Sequence, residues 1–239
     1  MSNSSEKTPE PLFQHTCVVG PFQCNCRILV CPMTGEGVLI DPGAEPQKIL
    51  KELSSVESSL LAGKPIQIKY LLHTHAHLDH VGATREVKQA SSLSPASSAR
   101  IALHRLDEPL YQQLKMQGAL FGFQYEDPLP VEEYLEEGQE IRFGNFRLTV
   151  IHTPGHSPGS VCLRLHEDSR WGASESLFTG DTLFARSIGR TDLWGADHDT
   201  MMKSIHQRIL TLDGDTQVCP GHGPDSTIGV EKRKNPFLV

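Results

Sequence analysis

The sequence lacks long apolar runs and an excess of basic residues. No stretch of about 18 or more apolar residues occurs, so we predict no transmembrane helix. Lys and Arg number 22 against 29 Asp and Glu, which gives a formal net charge of -7. A surplus of acidic side chains disfavours binding to nucleic acid and to anionic membrane surfaces. We therefore expect neither a nucleic-acid partner nor a membrane partner.

A secretory signal and a regular cysteine framework are also missing. Residues 1–11 are polar and carry no apolar segment, so we predict a short disordered leader rather than a signal peptide. The six cysteines follow neither a C-x-x-C spacing nor a disulfide pattern, which favours reduced thiols in a cytoplasmic protein. Residues 12–239 have the composition of an ordinary globular protein, and we expect them to form a single domain.

What the chain does contain is a segment rich in metal-binding side chains. Residues 74–80 read T-H-A-H-L-D-H. An apolar, β-prone run at 66–72 precedes this segment, and a predicted helix start at 81–87 follows it. The cluster is therefore predicted to lie on a strand-to-helix turn, where side chains can converge on one point.

The spacing within this turn predicts two metal ions. In an extended segment, residues two apart face the same side, so His75 and His77 can bind one ion together. Asp79 and His80 lie beyond the bend and suit a second ion. Imidazole and carboxylate are ligands that zinc and similar divalent metals accept. Asp181 follows another predicted strand, and its two carboxylate oxygens make it the natural bridge between the ions.

Two later segments carry further histidines in tight Pro- and Gly-containing loops. Residues 153–160 read T-P-G-H-S-P-G-S around His156, and residues 220–224 read P-G-H-G-P around His222. Together with H-x-H-x-D-H, these motifs resemble the metallo-β-lactamase superfamily. The resemblance implies an α/β fold, an αββα sandwich of two mixed sheets flanked by helices.

The resemblance also implies a ligand set. The first ion is expected on His75, His77 and His156, and the second on Asp79, His80 and His222, with Asp181 between them. It further implies that Asp41, in the turn D-P-G, lies beneath the metal site and hydrogen-bonds a ligand. His152 has no counterpart in the motif, and we interpret it as structural.

Hydrophobic periodicity predicts the elements around these motifs. Strands are predicted at 12–20, 26–31, 37–40, 66–72, 100–103, 138–143, 146–151, 160–165, 177–178 and 217–219. Helices are predicted at 45–61, from about 81 to 90, and at 197–210. Residues 91–98 are predicted to be a loop, 107–135 a short helix followed by an apolar loop, and 227–239 a short tail.

The predicted cofactors are two divalent metal ions, with zinc as the first choice and iron or manganese as alternatives. A water shared by two such ions loses its proton near neutral pH, and we expect it to be the nucleophile. Asp79 and Asp181 are the predicted catalytic carboxylates. The chain offers no evident side-chain nucleophile, which suits hydrolysis of an ester, thioester or amide.

The resemblance is closest to short glyoxalase II-like hydrolases. It is carried by Q-G-A-L-F-G-F at 117–123, G-D-T-L-F at 180–184 and G-R-T-D at 189–192. It implies a small-molecule thioester substrate, an S-2-hydroxyacylglutathione such as S-lactoylglutathione. Long glyoxalase II enzymes add a C-terminal helical domain and carry a Lys and a Tyr after the bridging Asp. This chain differs in both respects, which leaves glutathione recognition open.

Other readings of the same motifs remain open. The runner-up function is a persulfide dioxygenase, which uses a single iron on two His and one Asp and also carries Gly-Arg-Thr-Asp. A third is a metallo-hydrolase of another ester or of a phosphodiester. Arg190 is expected either to bind a substrate carboxylate or to form a buried ion pair. Phe121, Phe123 or Tyr125 is expected either to line the substrate pocket or simply to pack.

Overall fold

The first sheet is built from the N-terminal half of the chain. The computed structural model describes residues 11–91, 99–169 and 172–239. The strands of this sheet are β1 (Phe13–Val19), β2 (Cys24–Val30), β3 (Glu36–Ile40), β4 (Gln67–Leu72), β5 (Arg100–His104) and β6 (Glu133–Leu135). They lie in the order β1-β2-β3-β4-β5-β6. The sheet is mixed, because β1, β2 and β3 are antiparallel whereas β3 to β6 are parallel.

The second sheet is built from the C-terminal half and is also mixed. Its region contains β7 (Glu140–Phe143), β8 (Phe146–His152), β9 (Val161–Leu165), β10 (Ser176–Gly180), β11 (Leu183–Phe184), β12 (Ser187–Ile188), β13 (Gln217–Pro220) and β14 (Ser226–Thr227). The sheet order is β14-β13-β10-β9-β8-β7, and β11 pairs with β12 in a separate ribbon. Only the β10–β13 pair is parallel among these described strands.

Helices cover the outer faces. They are α1 (Pro46–Leu60), α2 (Leu78–Val81), α3 (Thr84–Ser91), α4 (Glu108–Tyr111), α5 (Leu114–Leu120), α6 (His198–Ser204) and α7 (Ile228–Lys234). Two of them begin at capping side chains. Asp197 accepts the N–H of Thr200 at the start of α6, and Thr227 accepts the N–H of Val230 at the start of α7.

Three apolar clusters join these layers. The face-to-face contact of the two sheets includes Val38 and Leu72 from the first sheet and Phe143 and Phe178 from the second. A second cluster packs α1 and α3 against the outer face of the first sheet, and a third packs α6 and α7 against the second sheet. Strand β2 is buried at every position, as expected for a strand covered on both sides. The predicted αββα sandwich is therefore confirmed.

Every predicted strand is present within a few residues of its expected bounds. Some shorter elements were not predicted. The loop predicted within 107–135 contains β6, which is too short for a periodic signal and is fixed by pairing with β5. The tail at 227–239 contains α7. The helix predicted from about 81 to 90 is present as α3, and the separate short helix α2 precedes it. The leader lies outside the described residues except for residue 11, and so does the 91–98 loop except for residue 91.

All six cysteines lie in the described part of the chain, where each is a buried free thiol. Among the described residues, no helix has both the length and the apolar character needed to cross a membrane.

Candidate metal centre

The loop between β4 and α2 carries the first two predicted ligands. His75 and His77 turn toward His156, which lies in the loop between β8 and β9. Nδ1 of His77 lies 2.8 Å from Nε2 of His156. The ring of His75 lies edge-on to both, with centroid distances of 4.8 and 4.7 Å. The structure thus brings the predicted first ligand group together, and its three rings could hold one metal ion.

The second predicted group also converges. Asp79 and His80 lie in α2, and His222 lies two residues after the end of β13. Nε2 of His222 is 3.2 Å from Oδ2 of Asp79 and 3.2 Å from Nε2 of His80. Like the first group, these three side chains could hold one ion.

Asp181 lies between the two groups, directly after β10. Its Oδ1 is 3.4 Å from Nε2 of His80 and 3.6 Å from Nε2 of His222. Its Oδ2 is 3.5 Å from Nε2 of His156. Each carboxylate oxygen therefore faces a different ligand group, which is the arrangement that a bridging ligand requires.

Two buried atoms of this centre have no hydrogen-bond partner among the described residues, namely Nε2 of His75 and Oδ1 of Asp181. A buried polar atom without a partner costs about 1–3 kcal/mol, so it calls for an explanation. Both atoms point into the centre formed by the two groups. A set of imidazole nitrogens and carboxylate oxygens is one that a divalent cation of the zinc or iron type accepts. The residues present therefore fit two metal ions.

In two of the histidines, the ring nitrogen that faces away from the centre is held by a hydrogen-bond acceptor outside it. Nδ1 of His156 donates to the backbone oxygen of Arg190 at 2.8 Å, and Nδ1 of His222 donates to that of Phe22 at 3.0 Å. A carbonyl oxygen can only accept, which assigns a proton to Nδ1 and leaves Nε2 as the nitrogen that faces the centre. Such contacts fix the tautomer and the orientation of metal-binding histidines.

Asp41 lies beneath the centre, where the resemblance predicted it. Its Oδ1 accepts the N–H of Thr74 at 2.8 Å, and its Oδ2 accepts the hydroxyl of Thr74 at 2.7 Å. Oδ2 also lies 3.0 Å from Nδ1 of His80. The backbone of Asp41 is left-handed, with a φ of 54°, a conformation that a non-glycine residue adopts only when its surroundings hold it there. The hydrogen bonds to Thr74 and His80 provide that restraint.

The electrostatics of the first group favour the neutral form of two of its rings, His75 and His77. Burial, followed by the charges of the neighbouring imidazoles, lowers the pKa of His75 well below its usual value. Burial, and next His156, lowers the pKa of His77 to about 3. Because a metal binds the neutral ring, these two histidines are ready to act as ligands at neutral pH.

The second group and the bridge behave differently. Burial opposes ionisation of Asp79 and Asp181, but the adjacent imidazoles, His80 first, outweigh it and lower the pKa of both carboxyls. Burial also opposes charge on His80 and His222. Cys24 and then Asp181 outweigh it at His80, and Asp79 and Asp181 outweigh it at His222, so the pKa of both rings is raised. A metal ion must therefore displace protons from the second group, and its binding there depends on pH.

Two residues that support the first group have roles that the sequence did not reveal. Asp107 accepts hydrogen bonds from both loops that carry the first group. Gln117 accepts the N–H of Leu78 at 3.0 Å and donates to the oxygen of Ala76 at 3.1 Å. Only the fold shows these contacts, because their partners are distant along the chain. On the side of the second group, Asn25 donates to the oxygen of Pro220 at 3.0 Å, next to the loop of His222.

Two of the predicted substrate residues, Arg190 and Phe121, are exposed beside the centre. Together with Phe22 they form its exposed edge, which we call the rim. The Arg190 side chain is 61% exposed and pairs with Asp192 at 2.7 Å, so the alternative of a buried ion pair is wrong. Phe121 is 56% exposed and meets Phe22 edge-to-face at 5.2 Å between ring centroids. The backbone oxygen of Phe22 is the one that orients His222, which places these aromatic rings beside the centre.

The other aromatic positions differ in burial. Phe123 is half-buried and lies 6.2 Å from the ring of Phe22. Tyr125 packs so closely on Gly118 and Gly82 that a Cβ on either glycine would come within 2.8 Å of its ring or hydroxyl.

His152 lies outside the centre. It stacks on His104 with ring centroids 4.1 Å apart, and its Nε2 lies 3.0 Å from the oxygen of Pro158. Among the described residues, neither ring belongs to a group that could hold a metal.

Comparison with known proteins agrees with this geometry. Residues 19–222 match the model of the metallo-β-lactamase superfamily. The chain is 35% identical over 221 residues to hydroxyacylglutathione hydrolase GloC of Haemophilus influenzae, covering 92% of this chain and 95% of the relative.

Two solved structures are similar along nearly the whole chain. One is the BLEG-1 B3 metallo-β-lactamase, with a TM-score of 0.81, 34% identity, and coverage of 95% of this chain and 100% of that one. The other is TTHA1623 in a di-iron-bound form, with a TM-score of 0.74, 39% identity, and coverage of 94% and 100%. The fold implies divalent metal ions, and the chain belongs to the metallo-β-lactamase superfamily.

Proposed function

We propose that this metallo-hydrolase is a binuclear thioesterase that cleaves S-2-hydroxyacylglutathiones, with S-lactoylglutathione as the first candidate. The observation that carries the proposal is the placement of Asp181, whose two oxygens face the two ligand groups. The similarity to hydroxyacylglutathione hydrolase GloC supports the choice of substrate. The protein is proposed to act in the cytoplasm.

Seven side chains would hold the ions. His75, His77 and His156 form one group, Asp79, His80 and His222 form the other, and Asp181 serves both. When bound, two divalent ions supply an activated water near neutral pH and polarise the carbonyl under attack. Zinc remains the first choice, while the di-iron form of TTHA1623 supports iron as a real alternative.

The protein's own groups prepare the reaction. Asp79 and Asp181 have lowered pKa values, so their oxygens are free to accept hydrogen bonds and to orient the attacking water. Asp41 and the backbone oxygens of Arg190 and Phe22 keep three rings in the tautomer that turns Nε2 inward. A thioester suits this centre because a thiolate, with a conjugate pKa of about 8.5, leaves without much help from an acid.

The rim would bind the rest of the substrate. Arg190 is held by Asp192 in an exposed ion pair, and such pairs contribute little stability. A substrate carboxylate can therefore replace Asp192 at small cost and gain a bidentate contact. Phe121 and Phe123 would cover apolar parts of the substrate, whereas Tyr125 serves packing.

The proposal is tested by steady-state hydrolysis of S-lactoylglutathione with metal-replete protein. We expect turnover above roughly 1 per second. Turnover far below that value, in protein that binds two ions, would overturn the choice of substrate.

A β-lactam is the competing substrate, because the BLEG-1 enzyme is 34% identical over nearly the whole chain. A chromogenic cephalosporin measured alongside the thioester distinguishes the two. Iron content and oxygen uptake with a glutathione persulfide test the dioxygenase alternative. One iron per chain with persulfide-dependent oxygen uptake would replace the hydrolase proposal.

A further inference from the structure

Asp107 lies outside the metal centre and its side chain is fully buried. Its Oδ2 accepts the N–H of Ala76 at 2.9 Å and the hydroxyl of Ser157 at 2.7 Å. Its Oδ1 accepts the N–H of Gly159 at 2.5 Å. A buried carboxylate is costly to desolvate unless its oxygens are hydrogen-bonded, and these three donors satisfy it.

The donors belong to the two loops that carry the first ligand group. Ala76 is the residue between His75 and His77, and Ser157 directly follows His156. One carboxylate thus joins the segments of all three rings, although those segments come from different sheets. Within the described residues, its hydrogen bonds do not reach the second group, where Asp41 contacts His80 instead.

The surroundings of Asp107 are shaped for this side chain. A Cβ on Gly159 would lie 2.6 Å from the backbone nitrogen of Asp107 and 2.8 Å from its Cβ, so only glycine allows the loop to approach this closely. An Asn side chain in place of Asp107 would fit the available volume but could not accept all three hydrogen bonds. Either orientation of Asn would turn its NH₂ toward the N–H of Ala76 or of Gly159 and leave that donor without an acceptor.

We propose that Asp107 is a positioning residue that holds His75, His77 and His156 in the geometry of the first metal site and has no such effect on the second. The inference rests on the ligand set given under the proposed function. It explains why two distant loops keep nitrogen atoms 2.8 Å apart, a separation that a small angular error in either loop would destroy.

The test is a zinc titration of the metal-free full-length protein against a chelating dye, together with cobalt absorption spectra. His77→Ala and His222→Ala serve as references that assign the two sites. For Asp107→Asn we expect the first-site affinity to fall about 10–100-fold, as is typical when a partner of a metal ligand is lost. The second-site affinity stays within about threefold, and the cobalt spectrum changes toward that of His77→Ala.

Glu231→Gln is the matched control. Glu231 is another fully buried carboxylate, and it accepts the N–H of Arg186 at 2.8 Å and the amide of Asn235 at 2.9 Å. The Glu231→Gln substitution should lower the melting temperature of the metal-free protein. It should not change the first-site zinc affinity relative to the second-site affinity. If Asp107→Asn does not fold, Ser157→Ala removes a single donor and should weaken the first site alone by a smaller factor.

The outcomes are distinct. Equal weakening of both sites by Asp107→Asn, or no weakening, would overturn the positioning role while leaving the proposed function intact. A wild-type protein that does not bind two ions would instead overturn the proposed ligand set, and the inference with it.

Discussion

The two sheets supply their candidate ligands in different ways. The first sheet provides His75, His77, Asp79 and His80 from one turn after β4. The second sheet provides His156, Asp181 and His222 from three separate strand ends, after β8, β10 and β13. The first contribution is local in the chain, whereas the second exists only because β8, β10 and β13 belong to one sheet. Three of the seven candidate ligands therefore depend on the fold for their proximity.

A second contrast separates the two ligand groups. In the first group, burial lowers the pKa of His75 and His77, so these two imidazoles are neutral and ready to bind a cation. The second group mixes a carboxylate with two rings of raised pKa, so protons compete with a metal there. The two groups therefore differ in how strongly protons are expected to compete with a metal ion.

The largest expected effect comes from the residue that joins the groups. Asp181→Asn keeps the shape but replaces one of the two facing oxygens with an NH₂ group, which cannot ligate a metal. We expect loss of the second ion and a fall in turnover of about 100-fold or more. Elemental analysis and S-lactoylglutathione kinetics measure both quantities. Full activity with two bound ions in this variant would disprove the bridging role.

A smaller effect is expected at the support of the second group. Asp41→Asn weakens the contact with Nδ1 of His80 and places an NH₂ group near donors of Thr74. We expect the second-site affinity to fall about 10–100-fold and the first-site affinity to fall by a smaller factor, because the hydroxyl of Thr74 also lies 3.1 Å from Nδ1 of His75. For Asp107→Asn the larger loss is expected at the first site instead, and the same zinc titration measures both. A uniform loss at both sites would show that the two groups are not supported separately.

Sequence spacing alone predicted the local contribution most directly, because the alternation of His75 and His77 has a geometric meaning in extended backbone. Asp181 was predicted from its place after a strand, and His156 and His222 from the motifs that carry the resemblance. Asp107 could not be found this way, because its donors Ala76 and Gly159 lie 31 and 52 residues away along the chain. The same reason applies to β6, whose three residues become a strand only through pairing with β5. Long-range contacts leave no periodic signal.

Lowering the pH should weaken metal binding at the second group more than at the first, without any mutation. The raised pKa values of His80 and His222 mean that both rings gain protons at a higher pH than an ordinary histidine. The pKa values of His75 and His77 are lowered instead, so these two rings stay neutral as the pH falls. Between about pH 8 and pH 6, we expect the second-site affinity to drop about tenfold or more and the first-site affinity to drop much less. Zinc titrations at several pH values test this, and parallel pH profiles would contradict it.

The smallest expected effect lies on the rim, where neither ligand group is touched. Arg190 contributes its backbone oxygen to His156 but extends its side chain into solvent beside Asp192. Arg190→Ala should therefore keep both ions and leave the stability nearly unchanged, since exposed ion pairs contribute little. If the guanidinium binds a substrate carboxylate, KM for S-lactoylglutathione should rise about tenfold while kcat changes little. Asp192→Ala is the matched control, because it frees the same guanidinium and should leave KM unchanged or lower it. An unchanged KM in Arg190→Ala would remove this residue from substrate binding and leave the aromatic rim of Phe22 and Phe121 as the remaining contact surface.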